Sequence, residues 1–214
     1  MRTLSVAGFF GLMVAVAGCG SSELPTGKVS TPELKAVASR FHDDPQPNRR
    51  VASDQVPLKF TDPNGNSVDL ASFRGKSNVV LVVVKGMPKF PGGIFCPGCL
   101  AQVNALTTTY DEFKKRDAEI VMVFPGPSDK LPQFLTDGKV DGVDGNPKVP
   151  FPLVLDQDLK VVDSLDIRGD LAKPSTYILD KKGNVVFAFV GETTTDRPSV
   201  KALLAQLDKL NAKK

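Results

Sequence analysis

The stretch from residue 78 to residue 113 reads NVVLVVVKGMPKFPGGIFCPGCLAQVNALTTTYDEF. It opens with a continuous apolar, mostly β-branched run over Asn78 to Val84, which is typical of a strand buried on both faces of a sheet. The loop from Lys85 to Phe95 holds two prolines and three glycines. From Pro97 to about Arg116, apolar side chains recur at intervals of three and four residues, which predicts an amphipathic helix. The stretch therefore predicts a buried strand that leads through a loop into a helix.

Segments around this unit continue the alternation of strands and helices. The run Ala118 to Phe124 predicts a second buried strand, and Thr176 to Leu179 with Val185 to Val190 predicts a hairpin. Strands that alternate with helices predict parallel pairing with right-handed crossovers. Shorter elements are predicted at Pro57–Phe60 (strand), Ser128–Leu135 (helix capped by Ser128), Phe151–Leu155 (extended) and Leu159–Ile167 (strand or short helix). The predicted fold class is α/β, with a central mixed β-sheet flanked by helices, a terminal β-hairpin and a C-terminal helix.

Composition excludes several classes of protein. The chain has 214 residues, of which 41% are hydrophobic, enough to bury a core. Its net charge of +3 is small and scattered, so no nucleic-acid partner is expected. The single histidine, His42, lies outside the predicted domain, which makes a Cys–His protease pair or a histidine-rich metal site hard to build. No cofactor and no metal site are predicted.

The N-terminus is predicted to be a targeting segment. A positive start is followed by an apolar run from Leu4 to Ala17, which is shorter than the roughly 20 residues of a membrane span. The run ends in VAGC, with Cys19 last, and this tetrapeptide resembles the bacterial lipobox, whose cysteine is lipidated and becomes the first residue of the mature chain. The alternative is an ordinary signal peptide in which Cys19 lies just past the cleavage site.

This assignment divides the chain into three parts. Residues 1–19 are a predicted lipoprotein signal peptide, residues 20–52 a polar flexible tether with a short helix around Pro32 to Phe41, and residues 53–214 the domain. The protein is then expected in the cell envelope, lipid-anchored to a membrane on its extracytoplasmic, periplasm-facing side. Disulfides persist in such a compartment.

The other two cysteines stand in the motif Cys96-Pro97-Gly98-Cys99 at the start of the predicted helix. Proline suits the first helical position, which places Cys96 at the cap and Cys99 in the first turn. The positive helix end stabilises a thiolate, so the pKa of at least one thiol should be lowered. The two-residue spacing also allows a reversible disulfide.

Three other interpretations of the pair compete with redox chemistry. A zinc site needs two more ligands, and the sequence offers no second cysteine pair. A purely structural disulfide would close so short a loop that it would stabilise the fold little. Unpaired core cysteines are disfavoured by the surrounding glycine and proline. Redox chemistry is the favoured interpretation.

The motifs VVLVVV, FCPGCLAQV, AEIVMVF and PSTYILDKKGNVVFAFVG together resemble the thioredoxin-like superfamily over roughly Val56 to Leu210. Within it the chain is similar to the redoxins related to alkyl hydroperoxide reductase and the thiol-specific antioxidant proteins. The resemblance implies a thiol oxidoreductase. In thioredoxin-type reductases the first cysteine attacks and the second resolves, which implies Cys96 and then Cys99. In peroxiredoxins the attacking cysteine is the second and a threonine stands first, which implies Cys99 as attacker.

One departure from the peroxiredoxin pattern concerns Pro174. Peroxiredoxins place an arginine near the thiolate, two residues before the threonine that corresponds to Thr176, and here that position is Pro174. A proline before this strand is instead a thioredoxin feature, which implies a cis bond that presents backbone to the substrate. The alternative is an ordinary proline at the start of a strand.

Arg197 is a candidate for the role of the arginine that is missing at position 174. The last hairpin strand should return the loop from Glu192 to Pro198 to the cysteines, so we expect Arg197 to support the thiolate or a bound peroxide. The alternative is a solvated arginine paired with Asp196. Lys85 and Lys89 are weaker candidates for the same role.

The predicted function is therefore that of a membrane-anchored thiol oxidoreductase that reduces peroxides in the manner of the peroxiredoxins. The alternative substrate is a protein disulfide, which Pro174 and the intact cysteine pair favour. In either case an external thioredoxin-like donor would restore the dithiol. A remoter alternative is a copper-binding assembly factor, similar to thioredoxin-fold proteins that pair two cysteines with a histidine, and for this His42 is poorly placed.

Overall fold

A mixed β-sheet forms the centre of the molecule in the computed structural model, which describes residues 30–86, 95–143 and 146–212. Within these residues the sheet has seven strands, in the spatial order β2 (Ser67–Asp69), β1 (Lys59–Thr61), β7 (Leu153–Asp156), β4 (Ala118–Pro125), β3 (Asn78–Val83), β8 (Ser175–Leu179) and β9 (Val185–Val190). A separate two-stranded sheet pairs β5 (Gly142–Val143) with β6 (Asn146–Pro147).

Helices cover both faces of the sheet. They are α1 (Thr31–Ala38), α2 (Pro97–Thr108), α3 (Tyr110–Lys114), α4 (Leu131–Asp137), α5 (Lys160–Ser164) and α6 (Val200–Asn211). Short 3-10 turns occupy Ser53–Gln55, Leu70–Phe73 and Ser128–Lys130. In the part of the chain that the structure describes, each helix is too short or too polar to span a bilayer.

The central strands owe their position to their apolar sequences. Strand β3 is buried along its whole length and pairs in parallel with β4, and β4 pairs in parallel with β7. Because strand side chains alternate between faces, Val80 and Val82 enter one core layer, while Val79 and Leu81 enter the other. Strands β8 and β9 form the predicted antiparallel hairpin at the edge beside β3. The predicted α/β class, with its mixed sheet, terminal hairpin and C-terminal helix, is confirmed.

Some local predictions need correction. The helix predicted from Pro97 to Arg116 is interrupted at Thr109, where φ is −117° and the hydroxyl donates to the carbonyl of Ala105 at 2.6 Å. Ser128 caps no helix, because it lies inside a 3-10 turn whose N-cap is Pro127. The segment predicted as strand or short helix after Leu159 is the helix α5.

The short helix predicted around Pro32 to Phe41 is confirmed as α1, but the flexible tether is wrong for residues 30–52, which pack on the domain. Helix α1 lies against α2 and buries Leu34, which is 1% exposed. Further along, the amide of Asn48 donates to the carbonyl of Ala188 at 3.1 Å, on the edge strand β9. Leu34, Val37 and Phe41 have the three- and four-residue spacing of a helix face, which the polar composition around them conceals. The signal peptide and Cys19 lie outside the described residues.

Candidate active site

The two cysteines of the motif lie at the start of α2, as the sequence predicts. Cys96 is the N-cap residue, and its carbonyl accepts from the amides of Cys99 and Leu100 at 2.9 and 3.1 Å. Cys99 lies in the first turn and is 2% exposed, whereas Cys96 is partly exposed. The two thiols therefore share one helix end but differ in access to solvent.

Arg197 lies beside both sulfurs. Its Nη2 is 3.8 Å from the Sγ atoms of Cys96 and Cys99, and its Nη1 is 3.8 Å from the Sγ of Cys99. Nη1 also donates to Oε1 of Gln102 at 2.7 Å. The alternative of a solvated arginine is wrong, because Arg197 is 1% exposed. Asp196 accepts from the amide of Glu192. The predicted return of this loop to the cysteines is what the structure shows.

Two glycines allow the loop to come this close. A Cβ atom on Gly98 would lie 1.8 Å from the carbonyl oxygen of Thr194 and 3.1 Å from Nη2 of Arg197. A Cβ on Gly191, where the loop leaves β9, would lie 1.8 Å from the carbonyl oxygen of Asp196. The glycine inside the cysteine motif thus makes room for the loop that carries the arginine. No local sequence pattern indicates this role, since the contact joins positions nearly a hundred residues apart.

The two thiols have opposite pKa shifts. A hydrogen bond from the Cys99 thiol, the positive charge of Arg197 and the amides of Cys99 and Gly98 outweigh burial and lower the pKa of Cys96 to about 5. The pKa of Cys99 is raised, because its proton is held by Cys96 and because its side chain is buried. The lowered thiol pKa agrees with the helix-end argument, although the partner thiol is the larger cause. At neutral pH the pair is therefore a Cys96 thiolate beside a Cys99 thiol.

Lys85 does not act as expected. The backbone amide of Lys85 donates to Sγ of Cys99 at 3.2 Å, but its side chain extends to Oδ2 of Asp170 at 3.3 Å. Lys85 thus supports the sulfur through its main chain rather than through its charge. Lys89 lies outside the described residues.

A cavity of about 380 Å³ opens beside Cys96. Two ion pairs lie in the lining of this cavity, Lys85 with Asp170 at 3.3 Å and Lys173 with Glu192 at 2.7 Å. The residues lining it are Lys85, Cys96, Gly169, Asp170, Ala172, Lys173, Pro174, Glu192, Thr193 and Thr194. Cys99 does not line the cavity, so a molecule that enters it meets Cys96 first.

Pro174 lies in this lining, directly before β8, but the cis bond expected from the thioredoxin resemblance is wrong. All peptide bonds of the described residues are trans. The carbonyl of Pro174 accepts from the amide of Gly191 at 2.8 Å, and β8 begins at the next residue. Pro174 is therefore a strand-start proline, where the missing amide proton costs no ladder bond.

The only histidine belongs to the folded domain rather than to a tether. Nε2 of His42 lies 2.9 Å from Oδ1 of Asp196, and its amide donates to the carbonyl of Arg197 at 2.9 Å. Across residues 30–86, 95–143 and 146–212, the structure contains no group of three or more histidine, cysteine, aspartate or glutamate side chains that could hold a metal ion.

Paired thiols of this kind pass two electrons to a substrate and close to a disulfide. The protein is therefore a thiol oxidoreductase with a thioredoxin-like fold. More particularly, the chain belongs to the redoxin family, whose model matches residues 44–204. It is 31% identical over 173 residues to chloroplastic peroxiredoxin Q of Triticum aestivum, with 73% of this chain and 71% of that protein covered. It is 26% identical over 145 residues to the thiol-disulfide oxidoreductase ResA of Halalkalibacterium halodurans, with 68% and 71% covered.

Solved structures of peroxiredoxins have the same fold. A peroxidoxin of Mycobacterium tuberculosis superposes with a TM-score of 0.55 at 19% identity, over 78% of this chain and 99% of that chain. Peroxiredoxin 6 of Arenicola marina superposes with a TM-score of 0.61 at 15% identity, over 77% and 75% of the two chains. At these identities the likeness establishes the fold.

Proposed function

We propose that this protein reduces hydroperoxides, with Cys96 as the attacking thiolate and Cys99 as the resolving thiol. The observation that carries the proposal is the placement of Cys96. This residue lines the cavity, its pKa is lowered to about 5, and a buried guanidinium lies 3.8 Å from its sulfur. The similarity to peroxiredoxin Q supports a peroxide as the substrate.

In the first step the Cys96 thiolate attacks one oxygen of the peroxide. A sulfur–oxygen bond forms and the oxygen–oxygen bond breaks, so the sulfur is oxidised to a sulfenic acid and the peroxide is reduced. The departing oxygen carries the negative charge and takes a proton from water to leave as an alcohol or water. The guanidinium of Arg197 stabilises this developing charge, as fixed cationic donors do in a buried site.

In the second step Cys99 resolves the sulfenic acid. The Cys99 sulfur attacks the Cys96 sulfur, the thiol proton and the departing hydroxide form water, and a disulfide closes between the two residues. The amide of Lys85, 3.2 Å from Sγ of Cys99, stabilises that sulfur as it loses its proton. An external dithiol donor of the thioredoxin type then reduces the disulfide by exchange.

This assignment departs from the peroxiredoxin order, in which the second cysteine attacks. Here the second cysteine, Cys99, is buried and its pKa is raised, so it is a poor nucleophile in the reduced enzyme. Cys96 takes the place of the peroxiredoxin threonine and has both the access and the charge that attack requires.

The direct test is the reaction of reduced single variants with hydrogen peroxide, with sulfenic acid trapped by dimedone and located by peptide mass spectrometry. We expect Cys99→Ser to form a stable sulfenic acid at Cys96 and Cys96→Ser to react far more slowly. Peptide mapping separates both residues from Cys19. Rapid oxidation of Cys99 in Cys96→Ser would contradict the assignment.

Reduction of protein disulfides is the second candidate function. It is favoured by the first position of the reactive cysteine and by the similarity to ResA. The same Cys99→Ser variant distinguishes the two, because a disulfide reductase without its resolving thiol accumulates mixed disulfides through Cys96. Mixed disulfides with slow peroxide reduction would support this function instead.

We propose a lipid anchor at Cys19, so that the enzyme works at a membrane in the cell envelope, facing the periplasm. The support is the apolar segment that ends in VAGC. Ten residues separate Cys19 from Ser30, enough for about 35 Å of extended chain. Incorporation of labelled palmitate that Cys19→Ser abolishes, with release of the variant from membranes, is the expected result. Equal labelling of the variant would contradict the anchor.

A further inference from the structure

The buried guanidinium of Arg197 has few polar partners. Within the described residues its guanidinium forms no ion pair with a carboxylate, and its Nε has no hydrogen-bond partner. Its contacts are the two sulfurs, the amide oxygen of Gln102 and the ring of Phe41, whose centroid lies 5.5 Å from Cζ. A guanidinium out of water needs such compensation, and an aromatic face supplies part of it.

The chain around Phe41 also fixes the backbone of Arg197. The amide of His42 donates to the carbonyl of Arg197 at 2.9 Å, and the amide of Ser199 donates to the carbonyl of His42 at 2.8 Å. Together these bonds make a parallel bridge between His42 and Pro198. We call residues Phe41–Asp43 the strap, because they run alongside the segment that carries the arginine.

Side chains anchor the strap at both ends of that segment. On one side, Nε2 of His42 lies 2.9 Å from Oδ1 of Asp196. On the other, the carboxylate of Asp43 accepts from the hydroxyl of Ser199 at 2.6 Å and from Nζ of Lys201 at 2.8 Å. All three strap residues precede the redoxin match, which begins at residue 44.

We propose that the strap is a positioning element for Arg197, and that Phe41 holds the guanidinium against the two sulfurs. The reactivity of the dithiol then depends on a segment outside the redoxin match. Without the ring, the guanidinium loses one of its few compensating contacts and is free to move toward the cavity and water. The inference rests on the proposed role of Arg197 at the thiolate.

The test measures the pKa of Cys96 in the full chain, from the pH dependence of its alkylation by iodoacetamide. Phe41→Leu removes the aromatic face, and we expect the pKa of Cys96 to rise by about half to one pH unit. Phe41→Tyr keeps the face and should retain the wild-type value. In an Arg197→Gln background, which itself raises the pKa of Cys96, Phe41→Leu should add nothing further, because the strap acts through the arginine.

Leu34→Val is the matched control, since it trims a buried apolar side chain of the same N-terminal segment. It should lower the stability to urea and leave the pKa of Cys96 unchanged. Should Phe41→Leu fail to fold, Phe41→Met fills the site without a ring and serves the same purpose. A folded ring-less variant with the wild-type pKa, or one whose effect adds in full to that of Arg197→Gln, would overturn the strap. An Arg197→Gln variant with unchanged pKa would instead overturn the proposed role of the arginine.

Discussion

At the scale of single residues, the reactivity of the site depends on one proton that Cys99 keeps and shares with Cys96 through a hydrogen bond. Cys96 and Cys99 occupy the same helix end and both lie 3.8 Å from the guanidinium of Arg197. The thiol of Cys99 donates to Cys96, which lowers the pKa of one and raises that of the other. Solvent exposure and the hydrogen bond from Cys99 thus determine that Cys96 is the reactive thiolate. Arg197 stabilises that thiolate further.

Replacement of Cys99 by alanine should therefore raise the pKa of Cys96, because the variant removes the largest cause of its lowering. The expected rise is larger than that in Arg197→Gln. It is measured from the pH dependence of iodoacetamide alkylation at Cys96. Cys99→Ser, which keeps a donor, should give a smaller rise and is the matched control. A Cys96 pKa near 5 in Cys99→Ala would show that the partner thiol has no such effect.

At the scale of elements, the site is assembled where the start of α2 meets the loop between β9 and α6. They pack tightly at Gly98, which has room for a hydrogen atom only beside the carbonyl of Thr194. Backbone atoms cannot rotate away as a side chain can, so the contact fixes the distance between the cysteine motif and the arginine. The motif glycine is a packing requirement of the site.

Gly98→Ala is expected to destabilise the protein by about 1–3 kcal/mol, the usual cost of overpacking, and to displace Arg197 from the sulfurs. Urea unfolding measures the first effect and the pKa of Cys96, which should rise, measures the second. Gly169→Ala is the matched control, a glycine that lines the cavity, since its Cβ would meet its nearest neighbour at 3.8 Å, and the stability of this variant should change by less than about 0.5 kcal/mol. Equal effects of the two variants would contradict this account.

At the scale of the whole molecule, the sequence predicted the sheet, its hairpin and the placement of the cysteines, because these follow from local patterns. The apolar runs predict the buried strands β3 and β4, and the proline after Cys96 predicts the start of α2. The packing of Phe41 and the reason for Gly98 depend on contacts across the molecule, which no local pattern contains. The trans bond at Pro174 differs from the prediction because that expectation came from a family resemblance. The packing of residues 30–52 on the domain was not predicted, although their short helix was, because the apolar stripe lies in polar surroundings.

The stability of the reduced protein should depend on pH through Cys96. Its folded pKa of about 5 lies below an unfolded value of about 8.5, so between these limits the unfolded chain binds more protons. Stability from this group therefore rises with pH through the window, by about 1 kcal/mol per pH unit, and is lost as the pH falls through 5. Urea unfolding of the reduced wild type and of Cys96→Ser, from pH 5 to 8, isolates the contribution. Identical pH profiles would contradict it.

The most direct test of the account is the absorbance of thiolates at 240 nm, titrated from pH 3 to 8 in the reduced protein. We predict one transition near pH 5 in the wild type that is absent from Cys96→Ser, because of the two motif thiols only Cys96 has a lowered pKa. A wild type without a transition below pH 7, or a transition that survives in Cys96→Ser, would contradict the claim that Cys96 is the reactive thiolate.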